Sequence, residues 1–193
     1  MPNWCNNTIS ITGPADKISA IWAAATASDD SAGLLQALTP MPAELSDTVA
    51  DGSSGDNWYN WRVANWGTKW DLNPEGLEFT DHGDGTASIA GYADSAWAPP
   101  IEAFQAYSNV NPEVEMELKY FEPGMCFLGV WDSAGGDAYW DDCGSPEILD
   151  TGPLEDAVLF DLLDHFDVWS WFETDEEENL EIDLDGGLSA INE

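Results

Sequence analysis

Two histidines, three cysteines and 38 carboxylates are the side chains with reactive chemistry in this 193-residue sequence. His82 stands in HGDG, a turn sequence, and His165 in an amphipathic helical pattern. Neither adjoins a recognisable Ser or Cys nucleophile motif, and there is no HExxH string and no Gly-rich phosphate loop. Carboxylates are so dense that some pair always falls at acid–base spacing, so such a pair carries no signal. Cys5, Cys126 and Cys143 are odd in number and widely spaced, with no CxxC pair and no disulfide framework. Cys5 lies in an alternating strand pattern, and burial among acids raises a thiol pKa rather than activating it. The expectation is a non-enzymatic protein with no catalytic residue and no cofactor.

Charge is the dominant feature. Four bases, Lys17, Arg62, Lys69 and Lys119, face 38 acids, for a net of -34. Such a field repels nucleic acid and anionic membranes and attracts basic protein surfaces. Apolar content of 44% with eleven Trp is far too high for a disordered acidic chain, so a folded core with an acidic exterior is expected. The start, MPNWCNNTISITG, lacks the basic and apolar regions of a signal peptide. No stretch approaches the roughly 20 apolar residues that span a bilayer. These features predict a soluble, cytoplasmic protein with no membrane partner.

The carboxylates form regular arrays. On a helix, side chains three or four residues apart lie about 5–6 Å from one another. Asp161, Asp164 and Asp167 have that spacing, and Glu173, Asp175, Glu176, Glu177 and Glu178 extend the line. On a strand, alternate side chains on one face lie about 6.6–6.8 Å apart. Glu113, Glu115 and Glu117 have that spacing, as do Glu181, Asp183 and Asp185. Duplex DNA carries about one charge per 1.7 Å of axis, and carboxylates at these intervals on rigid elements imitate it. The string EIDLDGGLSAIN (181–192) approaches a calcium loop but starts with Glu and has Asn192 where a bidentate carboxylate belongs, so no metal site is predicted.

Hydrophobic periodicity supplies the scaffold for these arrays. Ile9 and Ile11 alternate through a strand over 4–12, and Gly13-Pro14 leads into a helix with Ile18, Ile21 and Trp22 on one face. LLQALTPMPAEL (34–45) is a short amphipathic segment broken by prolines, and 46–56 is a loop. Residues 77–97 read as a hairpin turning at HGDG. Pro99-Pro100 starts a second helix with Ile101, Phe104 and Tyr107 inward. VEMELKYF (114–121) is a strand, Phe127 begins another and Tyr139-Trp140 a further one. The strongest helical pattern is 153–172, with Leu154, Val158, Leu162, Phe166 and Trp169 on one face, flanked by Leu159 and Leu163. LEIDLDGG then reads as a terminal strand. The aromatic stretch 58–72 is expected to close the open sheet face, with Arg62 and Lys69 as internal ion-pair partners. The order gives an α+β, ferredoxin-like split βαβ sandwich. The domain expectation is a core over 1–150 with an acidic helix and strand, 151–193, packed on it.

MPNWCNN at the start, LTPMP (38–42), RVANWGTKW from Arg62 to Trp70, and DSAWAPP (94–100) resemble the YubB-type ferredoxin-like proteins of phages and conjugative plasmids, over residues 1–130. The resemblance implies that fold and a home on mobile elements. With the acidity, it leads to one functional expectation: a DNA mimic. Its carboxylates would occupy the nucleic-acid-binding surface of a basic host defence protein, such as a restriction or CRISPR effector, without touching nucleic acid directly. Pairing of exposed sheet edges makes a homodimer possible. The alternative expectation is a salt-adapted acidic protein that binds small ligands or divalent cations, because scarce Lys with plentiful Asp and Ala also fits a high-salt environment.

Overall fold

The computed structural model describes residues 3–28, 33–50, 52, 55–143, 155–168 and 170. They belong to two compact units, Met1–Tyr139 and Trp140–Glu193. The architecture is α+β, with a six-stranded sheet in the order β2-β3-β1-β4-β5-β6. Strand β1 (Trp4–Pro14) lies between β3 (Thr86–Ala96) and β4 (Glu115–Glu122) and pairs antiparallel with both. β2 (Leu77–Asp81) pairs antiparallel with β3, and β5 (Phe127–Asp132) with β4. β6 (Gly136–Trp140) completes the order.

Alternation in β1 sets the two faces of the sheet. Cys5, Asn7, Ile9 and Ile11 are buried, while Thr8, Ser10 and Thr12 between them are half-buried. On the buried side, Ile9, Ile11, Ile89, Met116 and Leu118 form one core with residues of four helices. Helix α1 (Ala15–Ala25) contributes Ile18 and Ile21, and Asp16 in its first turn complements the helix dipole. Helix α2 (Leu34–Leu38) contributes three leucines, α3 (Trp58–Trp66) contributes Trp66, and α4 (Ile101–Val110) contributes Ala103 and Phe104. The Trp66 indole is wholly buried, and its N–H donates to the Thr39 carbonyl at 2.8 Å. The aromatic stretch therefore sits in the helical layer rather than closing the open sheet face, because α3 joins the same core as α2 and α4.

The 82–85 turn forms as its sequence predicts. Gly83 N donates to Asp81 Oδ1 at 2.9 Å, and Thr86 N to Asp84 Oδ1 at 3.0 Å, a pair of local side-chain-to-backbone bonds that close the hairpin. Tyr139 and Trp140 end β6 rather than begin it.

Helix α5 (Glu155–His165) is shorter than its pattern predicts. Val168 N donates to the Leu163 carbonyl and Asp167 N to the Asp164 carbonyl, with Asp167 left-handed at φ 55°. This is a Schellman ending, and Asp is among the few residues that tolerate that conformation. Its buried face is also rotated by one residue. Leu159, Leu162 and Leu163 are buried, whereas Val158 is exposed, because the i, i+3, i+4 stripe centres on the leucines. The expected positions at Leu154, Trp169 and the terminal strand lie outside the described residues.

A distant carboxylate holds α2, which at five residues is too short to persist alone. Asp71 accepts from Leu35 N at 2.7 Å, Gln36 N at 2.9 Å and Leu72 N at 2.7 Å. Gly33, at φ 148°, lets that carboxylate approach, since a Cβ there would collide with it. Burial raises the Asp71 pKa, and the three N–H donors and the Arg62 charge oppose the rise. Asp71→Ala removes the cap and leaves those donors without their acceptor. The expected loss is about 2 kcal/mol of unfolding free energy, measured by urea denaturation with unchanged m-value.

Candidate functional site

The open face of the sheet carries the predicted strand array in altered form. On β4, Glu115 and Glu117 point outward while Met116 and Leu118 enter the core. Strand register places Glu117 opposite Ser10 on one side and Asp132 on the other. Ser10 faces Ala90, and Ala90 faces Glu78. One row thus crosses five strands as Glu78, Ala90, Ser10, Glu117, Asp132. The next row is Thr80, Ser88, Thr12, Glu115. Rows lie about 6.6–6.8 Å apart along the strands, and neighbours within a row about 4.8 Å apart between strands. A hollow of about 300 Å³ lies among Ser10, Thr12, Glu115, Glu117, Asp132 and Ser133.

Asp132 and Glu78 join this face only through pairing, which is why spacing along a single strand missed them. Asp132 is anchored, because it accepts from Ala134 N at 2.8 Å and also from Gly135 N. Glu113 leaves the expected array. It precedes β4 and forms an ion pair with Lys17 of α1, whose ammonium also donates to Asn111 Oδ1 at 2.7 Å. This pairing lowers the Glu113 pKa and raises that of Lys17. On α5, Asp161 and Asp164 are exposed, but Asp167 lies beyond the helix end and breaks the helical line. Glu173, Asp175, Glu176, Glu177, Glu178, Glu181, Asp183 and Asp185 lie outside the described residues. Among the described residues no cluster of three or more His, Cys, Asp or Glu is arranged to hold a metal ion.

Cys5 is a buried strand thiol, with its pKa pushed up to about 12 chiefly by burial. That agrees with the inert reading of its sequence context. Arg62 and Lys69 form no ion pair among the described residues. The Arg62 guanidinium sits 4.7 Å from the ring centroid of Trp66 and 5.4 Å from that of Trp58. The Lys69 ammonium lies 4.6 Å from Trp70, 5.6 Å from Trp97 and 5.9 Å from Tyr59. Aromatic faces take the place of the predicted carboxylate partners, because Trp58 and Trp66 flank Arg62 at helical spacing.

The chain matches no family model and no curated protein. Among solved structures it is similar to the crystal structure of a protein Api92 from Yersinia pseudotuberculosis, which carries the family model DUF1281. The two are 14% identical with a TM-score of 0.39, and the match covers 55% of this chain and 39% of that one. No helix among the described residues is long and apolar enough to cross a membrane.

The geometry generates two predictions. Glu117 and Asp132 are like charges in directly opposed positions, an arrangement that destabilises a sheet. Glu117→Gln is expected to stabilise the fold by about 0.5 kcal/mol in low salt, a rise of roughly 1–2 °C in Tm, and the gain should vanish in molar KCl. The second concerns the exposed ion pair. Because the Glu113 pKa is lowered, the pair's small contribution is present above the unfolded glutamate pKa and lost as pH falls through the folded value. Lys17→Met should move the Glu113 carboxyl titration upward in an NMR pH series, with little change in stability.

Proposed function

We propose that the chain acts by binding rather than by catalysis, as a DNA mimic that occupies the nucleic-acid-binding surface of a basic host protein. On this reading it is a mobile-element protein of YubB type with a ferredoxin-like fold, and the target belongs to a restriction or CRISPR defence system. The strand order β2-β3-β1-β4 and the order of strands and helices through β4 support the ferredoxin-like assignment.

One observation carries the functional reading: Glu78, Glu115, Glu117 and Asp132 stand in register on the open face of a sheet whose other face is the core. Their order is fixed before any partner arrives, so little conformational entropy is lost on binding. Within the fold Lys17 is engaged in an ion pair, and Arg62 and Lys69 lie on aromatic rings. The remaining base, Lys119, stands on the same face of β4 two residues from Glu117, so the carboxylates outnumber the positive charge on that face four to one. Lys and Arg side chains that normally grip phosphates would pair with these carboxylates, giving fast, salt-sensitive association.

The test is competition. Host proteins captured on the immobilised chain at low salt are challenged with a labelled DNA duplex. The mimic predicts that captured proteins cannot bind DNA until the chain is released. It also predicts that the combined variant Glu78→Gln, Glu115→Gln, Glu117→Gln weakens capture by about tenfold or more. Captured proteins that bind DNA with the chain still attached would sink the mimic. So would a fold that forms only in molar KCl, joined with capture that never survives there, since that pairing points to salt adaptation.

A further inference from the structure

A second site shares no residue with the carboxylate rows. Three tryptophans stand in line: Trp4 and Trp70 have ring centroids 5.7 Å apart, and Trp70 stacks on Trp97 at 6.5 Å with an interplanar angle of 23°. The ends of this line are unusually open, Trp4 at 44% exposure and Trp97 at 42%. Trp97 also has left-handed backbone at φ 68°, an outlier for a bulky residue, and its N–H is tied to the Asn3 carbonyl at 2.9 Å. Beside it lies a cavity of about 440 Å³ lined by Asn57, Trp58, Tyr59, Asn60, Lys69 and Trp97. That volume is within the range of small-molecule sites.

Lys69 decides what the cavity can take. Its ammonium rests on Trp70, Trp97 and Tyr59, and among the described residues it has neither a carboxylate partner nor a hydrogen-bond acceptor. An apolar ligand would cover these N–H donors without replacing the water they bind, which is costly. A cationic ligand would meet the ammonium at the ring faces it needs. A nucleotide or other anion would have to approach against a net charge of -34. A neutral ring rich in hydroxyls meets none of these obstacles. Its C–H face suits an indole, its oxygens accept from Lys69, and the long-range field does not act on it.

We propose that this cavity binds a neutral saccharide, with the sugar face on Trp97 and ring hydroxyls accepting from Lys69 Nζ. The test uses the full chain and four neutral disaccharides: maltose, cellobiose, lactose and N,N′-diacetylchitobiose. AMP and choline serve as charged comparisons, and binding is read by saturation-transfer NMR and tryptophan fluorescence. At least one disaccharide should bind with a millimolar or tighter Kd. Lys69→Met, which keeps the packing of the stem, should weaken that binding by about tenfold. Trp97→Ala should abolish it, with thermal melts confirming that both variants are folded. No binding of any disaccharide at tens of millimolar overturns the proposal. So does binding that both variants leave unchanged, or a preference for AMP or choline.

Discussion

Mutual repulsion among 38 carboxylates, with four basic side chains to offset them, is the constraint around which this protein is built. Ion pairing cannot neutralise such an excess. Backbone N–H groups serve instead as local counter-charges, and they do so where the chain turns. Asp71 accepts from Leu35, Gln36 and Leu72, Glu122 from Gly124 and Met125, and Asp132 from Ala134 and Gly135. Glu122 is wholly buried, yet two charge-assisted bonds to turn amides satisfy its carboxylate. In this fold acidity and turn formation reinforce each other, because each anchored carboxylate fixes a loop whose donors would otherwise need water.

The scarce bases are used in a complementary way. Arg62 and Lys69 lie on indole and phenol faces rather than on acids, so the charge they carry organises the aromatic layer around α3 and the Trp70–Trp97 stack. Burial lowers the Arg62 pKa, and the nearby Asp71 charge opposes that shift, which links the aromatic layer electrostatically to the carboxylate that caps α2. Surface carboxylates are consequently left in water, where salt screens them over about 10 Å at 0.1 M. The same screening governs both the stability of the sheet and the reach of its field.

Much of the scaffold was legible in the sequence. Alternation through Ile9 and Ile11, and again through Met116 and Leu118, marked two strands and their buried sides. HGDG (82–85) marked the hairpin turn through its glycines and Asp84. The leucines at 159 and 163 were read as the flank of the α5 stripe and prove to be its centre, because Val158, Leu159, Leu162 and Leu163 fit two adjacent helical faces equally well. The helix end at Asp167 was missed because an aspartate in left-handed conformation is a weaker signal than glycine. Arg62 and Lys69 were assigned carboxylate partners on charge alone. Which rings or acids surround a cation is a property of packing.

Read from its residues alone, the chain has a folded hydrophobic core, an overwhelmingly acidic exterior, and a strand, a helix, a hairpin, a helix and a strand in succession between Trp4 and Phe121. These follow from composition and short-range periodicity, which act within a few residues. The tertiary structure alone decided which carboxylates share a face. Glu117 meets Asp132 and aligns with Glu78 only through hydrogen-bonded register, while Glu113 is removed from the row by a lysine on α1. It likewise decided that Trp4, Trp70 and Trp97 stand in one line beside Lys69. Spacing along one strand or helix fixes neighbours within that element. Neighbours between elements depend on pairing register and core packing, which join residues far apart in the chain.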